Sequence, residues 1–359
     1  MRIVRLACLL AAAVLLDNCS SSAGLSGSGN SGGPISAAAD TWTWVGFDDA
    51  YCANGTTTGI GVNLHPGASR LLIYMEGGGA CWDENTCYVA DTAVNIANGY
   101  GAANFQVESA STGFLSGPGG YFDRGDAANP FRDYSYVYVP YCTGDVHAGA
   151  NVAQYGTHAT RHVGFTNMTA YLKRIVPTVP GVQRVVISGS SAGGFGATFN
   201  LWQTQQAFGN VRVDLINDSG TPLPADVMAL GNGAEALWRA NWDLAATLPA
   251  GCSGCATDLS AIFGYYAAAL PGSRIGLLSY AQDTVLPVYF GITTAEFTAG
   301  LNEMLANQFL PYANLQYFEA GGAGHVLWFV PLLATGAVTD EAFITQMEAD
   351  DPAWTSVHP

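Results

Sequence analysis

The chain alternates short, strongly apolar runs with longer stretches of helical spacing. Arg70–Glu76 is polar only at its ends, the pattern of a strand buried on both faces. Tyr134–Pro140, Arg184–Ile187, Val211–Ile216, Arg274–Tyr280 and Leu315–Glu319 extend the series, each rich in β-branched or aromatic residues. Gly156–Val176, closed by Pro177 and Pro180, reads as a helix, as do Ala197–Phe208 and the stretch around Thr294–Phe309. Strands alternating with helices at this spacing predict an α/β fold with a mainly parallel sheet and helices on both faces. Ahead of them, Thr41–Val45 and the Asn54-Gly55 and Pro66-Gly67 turn signals predict a β-hairpin covering one sheet edge. Asp91–Arg132 reads as short helices in a long surface excursion, and Pro222–Ala269 as a helical insertion, broken by a Gly-Cys loop, that shapes a pocket.

At 359 residues and 49% hydrophobic content the chain can bury a sizeable core. A formal charge of −16 sets it against phosphate backbones and anionic headgroups, so nucleic acid is excluded as a partner. Arg2 and Arg5 followed by apolar Leu6–Leu16 read as an export signal, too short to span a bilayer. Leu16-Asp17-Asn18-Cys19 resembles a bacterial lipobox with poor residues between Leu and Cys, so Cys19 is a candidate lipid anchor. The expected organisation is a signal over residues 1–19, a flexible Ser/Gly linker over 20–36 and one catalytic domain over 37–359, in a monomer. That places the protein in a bacterial cell envelope or outside the cell. Apart from Cys8 and Cys19, the six cysteines Cys52, Cys81, Cys87, Cys142, Cys252 and Cys255 fit three disulfides in an exported chain. Cys252-Ser-Gly-Cys255 lacks the second Cys pair or clustered His that a zinc site would need.

The chemistry centres on Arg184–Gly196, where an apolar run ends in Gly189-Ser190-Ser191-Ala192-Gly193 and a helix follows. This strand–turn–helix spacing is that of a nucleophile elbow, the signature of an α/β-hydrolase, with Ser191 exposed at the turn. Glycines at 189 and 193 allow strand and helix to approach. The buried run at 70–76 leads into Gly77-Gly78-Gly79, a backbone able to offer N–H groups to an oxyanion. The chain order Ser, acid, His leaves His325 and His358 as candidate bases, and His358 is penultimate. His325, in the glycine loop Gly321–His325, is the expected base. Asp283 follows the strand that should neighbour the histidine's; Asp218 is the rival acid, otherwise expected to bond N–H groups of its own Asp-Ser-Gly turn.

Together, Glu76-Gly77-Gly78-Gly79 with Cys81 and Cys87, Val139-Pro140-Tyr141-Cys142 with Asp145-Val146 and Gly149-Ala150, and Gly189–Gly194 resemble the pectinacetylesterase family of plant pectin acetylesterases and Notum-like carboxylesterases. Asp218-Ser219-Gly220, Asp283 and His325 also match, so the likeness runs from about Cys52 to His325. The resemblance implies Ser191 as nucleophile, Asp283 as orienting acid and His325 as base, and the N–H groups of Gly78, Gly79 and Ala192 as oxyanion donors. No metal or cofactor is implied. It further implies disulfides Cys52–Cys142 and Cys81–Cys87, leaving Cys252–Cys255. The chain departs from family members with Trp in or just after the glycine run, since Trp82 comes later, and His147 stands where Notum-like members have an aromatic residue. The expected function is removal of acetyl or another short acyl group from a polysaccharide or related ester. The alternatives are a lipase or polyester depolymerase with the same triad, or a catalytically silent carbohydrate-binding lipoprotein using Trp42, Trp44 and Trp82.

Overall fold

Eight strands form one sheet in the order β1-β2-β4-β3-β7-β8-β9-β10. The computed structural model describes residues 33–110, 113–117, 120–328 and 333–359; the expected signal, Cys19 and most of the linker lie outside them. The strands are β1 Thr43–Tyr51, β2 Thr57–Asn63, β3 Arg70–Met75, β4 Ser135–Val139, β7 Arg184–Ser190, β8 Arg212–Asp218, β9 Ile275–Asp283 and β10 Leu315–Gly324. β1 and β2 are the antiparallel hairpin at one edge; from β4 through β10 every pairing is parallel. At the far edge the C-terminal segment lies along β10, with Glu319 N–H on the Val357 carbonyl and Val357 N–H on that of Tyr317, both at 2.8 Å.

Alternation along the strands feeds two cores. Leu71, Ile73, Met75, Val185, Ile187, Val213 and Leu215 face helices α2 (Gly164–Thr178) and α3 (Ala192–Phe208). Leu72, Tyr74, Tyr136, Tyr138, Val186, Ile216 and Phe318 face the other way. That second face is covered by α1 (Ala102–Glu108), by α10 (Asp340–Glu348), and by irregular chain carrying Leu115, Tyr121, Phe122 and Phe131. The segment read as a surface excursion is therefore core cover. Its aromatics pack edge-on to one another, as Tyr121 does on Phe131 at 5.6 Å, and need no helical period to fill the layer.

Two element boundaries differ from expectation. Residues 151–162 form a hairpin, β5 (Asn151–Tyr155) and β6 (His158–His162), before α2 begins at Gly164. Ala153, Tyr155, Thr160 and His162 alternate inward with period two, which outweighed the helical reading from Gly156. Helix α3 starts at Ala192, five residues earlier than its composition suggests, because burial against β3, β7 and β8 overrides the poor propensity of its glycines. Ile35, within the expected linker, is buried with its N–H on Thr178 Oγ1 at 2.6 Å. The insertion supplies α4 (Ala225–Met228), α5 (Ala234–Asn241), α6 (Leu244–Thr247) and α7 (Ala261–Ala269); α8 (Leu286–Phe290) and α9 (Thr294–Met304) follow β9. Disulfides join Cys52–Cys142, Cys81–Cys87 and Cys252–Cys255.

Candidate active site

Ser191 sits between β7 and α3 with φ 56° and ψ −121°, a region that L-residues seldom occupy. Packing enforces it. A Cβ at Gly189 would meet the carbonyl oxygen of Met75 at 2.5 Å, and one at Gly193 would overlap that same carbonyl, so β7 and α3 close on β3 only because both positions are bare. The Ser191 N–H donates to the Asp218 carbonyl at 2.8 Å, which fixes the turn against β8.

The expected acid and base arrive on neighbouring strands. β9 and β10 run parallel with Asp283 opposite Gly324, so His325 emerges beside the acid. His325 Nδ1 lies 2.8 Å from Asp283 Oδ2, and His325 Nε2 lies 2.7 Å from Ser191 Oγ. Asp283 is fully buried, and its Oδ1 accepts the N–H groups of Val285 and Leu286 at 2.8 Å each. Those two bonds fix the carboxylate plane and leave Oδ2 to the imidazole. A carboxylate at Nδ1 holds the proton there, so Nε2 presents its lone pair to the serine hydroxyl.

The histidine ring's hydrogen bonds go to Asp283 and Ser191, and Asp218 holds other groups. Its buried carboxylate accepts the N–H groups of Leu327 and Trp328, at 2.9 Å each, and the Ser190 hydroxyl at 2.7 Å. Ser219 Oγ donates to the His325 carbonyl. The Asp-Ser pair thus clasps the backbone that leaves the His325 side chain on its C-terminal side, whereas the sequence reading had Asp218 bonding N–H groups of its own turn. Burial pushes the Asp218 carboxyl up, and these hydrogen bonds pull it part of the way back.

Gly78 and Gly79 adopt φ 137° and 82°. Among the described residues their N–H groups take no backbone acceptor, while the Gly78 carbonyl and Ala80 N–H bond to residues 94 and 92. Ala192, first in α3, has an N–H with no intrahelical partner. Two cavities meet at Ser191. One, of about 20 Å³, is lined by Gly79, Ala80, Ala192, Phe195, Trp238 and Phe290 among others. The other, of about 440 Å³, is lined by Gly77–Gly79, His325, Tyr74, Glu76, Glu108 and Phe114 among others. Tyr289 stands in both walls. Sequence reasoning missed Trp238, Tyr289, Phe290 and Glu108, because helices distant in the chain bring them; Glu76, a carboxyl ending a buried strand beside the glycine run, was a readable signal.

Other residues singled out in the sequence hold structure. Asp145 accepts the Thr143 hydroxyl and the N–H groups of His147, Gly149 and Gly164, which pins the start of α2. His147 is buried, which pushes its imidazole below the usual range; the neutral ring donates from Nε2 to the Glu76 carbonyl at 2.8 Å. Cys81, Cys87 and His162 cluster closely, but the two sulfurs are bonded to each other and His162 bonds the Thr143 carbonyl and the Tyr155 hydroxyl. Trp82 is buried against Trp238, so it offers no free face for sugar stacking, and Trp42 packs on Phe105, Phe122 and Tyr136.

The fold is shared with a solved structure titled as the Wnt deacylase Notum from Drosophila, at TM-score 0.64 and 17% identity over 86% of this chain and 93% of that one. A palmitoleoyl-protein carboxylesterase, notum2 of Xenopus laevis, is 30% identical over 151 residues, 42% of this chain and 29% of its own length. NOTUM of Drosophila melanogaster, with the same description, is 23% identical over 182 residues, 47% of this chain and 26% of its own. The match thus spans under a third of either relative. The family model described as Pectinacetylesterase matches residues 43–282. The sheet order and the structural match define an α/β-hydrolase-like fold. More narrowly, the chain belongs to the pectinacetylesterase family. The matched segment contains Ser191 and the glycine run and stops one residue short of Asp283.

Proposed function

We propose that this protein is an extracytoplasmic serine esterase that removes acetyl or another short acyl group from a polysaccharide or related ester. The observation that carries the reading is the continuous chain from Asp283 through His325 to Ser191 Oγ, with contacts of 2.8 and 2.7 Å. Ser191 Oγ attacks the ester carbonyl carbon while His325 Nε2 takes its proton and the buried Asp283 carboxylate balances the imidazolium. The negative charge forming on the carbonyl oxygen is met by the N–H groups of Gly78, Gly79 and Ala192. Collapse breaks the bond to the alcohol, which leaves with the proton from His325. Water then repeats the sequence on the acyl-serine and releases the acid.

The small cavity supports a short acyl group. Its volume of about 20 Å³ suits one or two atoms, since a single water needs roughly 10–15 Å³ on this measure. Trp238, Phe195 and Phe290 line it and leave no room there for a long acyl chain, which speaks against a lipase. Three disulfides support an oxidising compartment. Lipid attachment at Cys19 is read directly from the mass of the mature N-terminal peptide; an unmodified or absent Cys19 removes the anchor.

Ser191→Ala should lower turnover of p-nitrophenyl acetate on the order of 10⁴-fold or more with the fold intact. Wild-type activity should fall steadily over p-nitrophenyl esters from C2 to C12. Retained activity in the purified variant would refute the nucleophile, and a maximum at C8 or beyond would refute the short acyl group.

A further inference from the structure

The larger cavity has an acidic wall that the triad chemistry leaves unused. Glu76 and Glu108 line it together with Tyr74 and Phe114, on the same cavity as Ser191 and His325. Glu108 ends α1 and accepts the hydroxyls of Tyr100 and Tyr138, at 2.5 and 2.6 Å, both on Oε2. Among the described residues no hydrogen-bond donor reaches its Oε1. Glu76 Oε2 accepts the Tyr141 N–H at 2.7 Å. Burial first, and then the neighbouring Glu108, push the Glu76 carboxyl up to about 8, so it keeps its proton at neutral pH. The wall therefore offers an O–H donor on one glutamate and an open acceptor oxygen on the other. Phe114, 38% exposed, adds an apolar ring beside them.

We infer that this wall is the leaving-alcohol subsite, and that Glu108 is a specificity residue that accepts a hydroxyl of a neutral polyhydroxylated alcohol and rejects one bearing carboxylates. The inference rests on the esterase reading above, because it assigns the larger cavity to the alcohol. Sugar hydroxyls donate as well as accept and so can serve both glutamates, whereas the carboxylate of a uronate only accepts and brings negative charge against an acidic wall. The chain's net charge of −16 opposes approach of a polyanion in the same direction. The carboxyls have this meaning through their place: the cavity they face is the larger of the two that open onto Ser191.

The test uses the full chain with three acetyl esters: an acetylated neutral cello-oligosaccharide, an acetylated oligogalacturonide and p-nitrophenyl acetate. Wild type should prefer the neutral sugar to the uronide about tenfold or more in kcat/KM, the worth of one charge-assisted hydrogen bond. Glu108→Gln, which keeps the side-chain shape and an acceptor oxygen, should lower KM for the uronide, and Glu108→Ala should in addition raise KM for the neutral sugar, so that both bring that ratio close to one. Equal treatment of the two sugars by wild type, or an unchanged ratio in both variants, overturns the subsite while Ser191-dependent hydrolysis of p-nitrophenyl acetate still stands. Absence of that hydrolysis overturns the esterase reading and the subsite with it.

Discussion

Ser191 and His325 lie 2.7 Å apart but are held by opposite means. The serine's turn is fixed by missing side chains: Gly189 and Gly193, four residues apart, let α3 close on β3 and β7. The histidine is fixed by groups far along the chain, Asp283 at 42 residues, Ser219 at 106 and Asp218 at 109 from the atoms they hold. The turn carrying the proposed nucleophile thus depends on two local glycines that let it seat on β3 and β8, whereas the proposed base depends on side chains that the finished fold brings to it. Damage to the first should act through the backbone, and damage to the second through alignment.

Three experiments bear on that contrast. The largest effect belongs to Gly193→Ala, whose methyl would overlap the Met75 carbonyl; spreading strand and helix costs several kcal/mol, and activity of the soluble fraction should fall about 1000-fold or more. Gly272→Ala, with open space around it, is the control, and an active Gly193→Ala enzyme would show that the elbow does not depend on close approach. Next comes Asp218→Asn, which removes one acceptor from the Trp328 and Ser190 donors and lets the His325 loop drift. On the order of 100-fold should be lost in kcat with KM little changed, as for a misplacement of about 1 Å. A drop in thermal midpoint with kcat preserved would make Asp218 a purely structural tether.

The smallest effect is a pH limb on the elbow side. Glu76 immediately precedes the glycine run, and its carboxyl, raised to about 8, is protonated in the working enzyme. Ionisation above that pH sets a negative charge beside the donors of the oxyanion, so kcat/KM should fall on an alkaline limb centred near 8. The drop should be about tenfold, and Glu76→Gln should abolish it. Stability has the same sign. The folded state holds this proton more tightly than the unfolded chain, so the urea midpoint should decline between the ordinary carboxyl range and pH 8, and level off above. An alkaline limb that survives in Glu76→Gln would assign it to another group.

The same contrast explains what the sequence discloses. The strands themselves, the edge hairpin and the elbow follow from local patterning, because buried parallel strands read as apolar runs and the turn needs glycine at fixed offsets. Asp283 and His325 could be proposed from chain order, but Asp218's attachment to residues 327 and 328 could not, since nothing local marks a carboxylate for a distant backbone. The hairpin at 151–162 was hidden because five-residue strands carry too few periods to outweigh a following helix. The smaller cavity's walls were hidden because Trp238 and Phe290 arrive from separate helices, each looking like ordinary core.

The tail along β10 has a bearing on handling. Without Val357 the outermost strand would show its unpaired amides and carbonyls to solvent, a template on which a second molecule could add. Removing that segment would therefore favour strand-mediated clumping, and would do so along the ribbon that leads to His325.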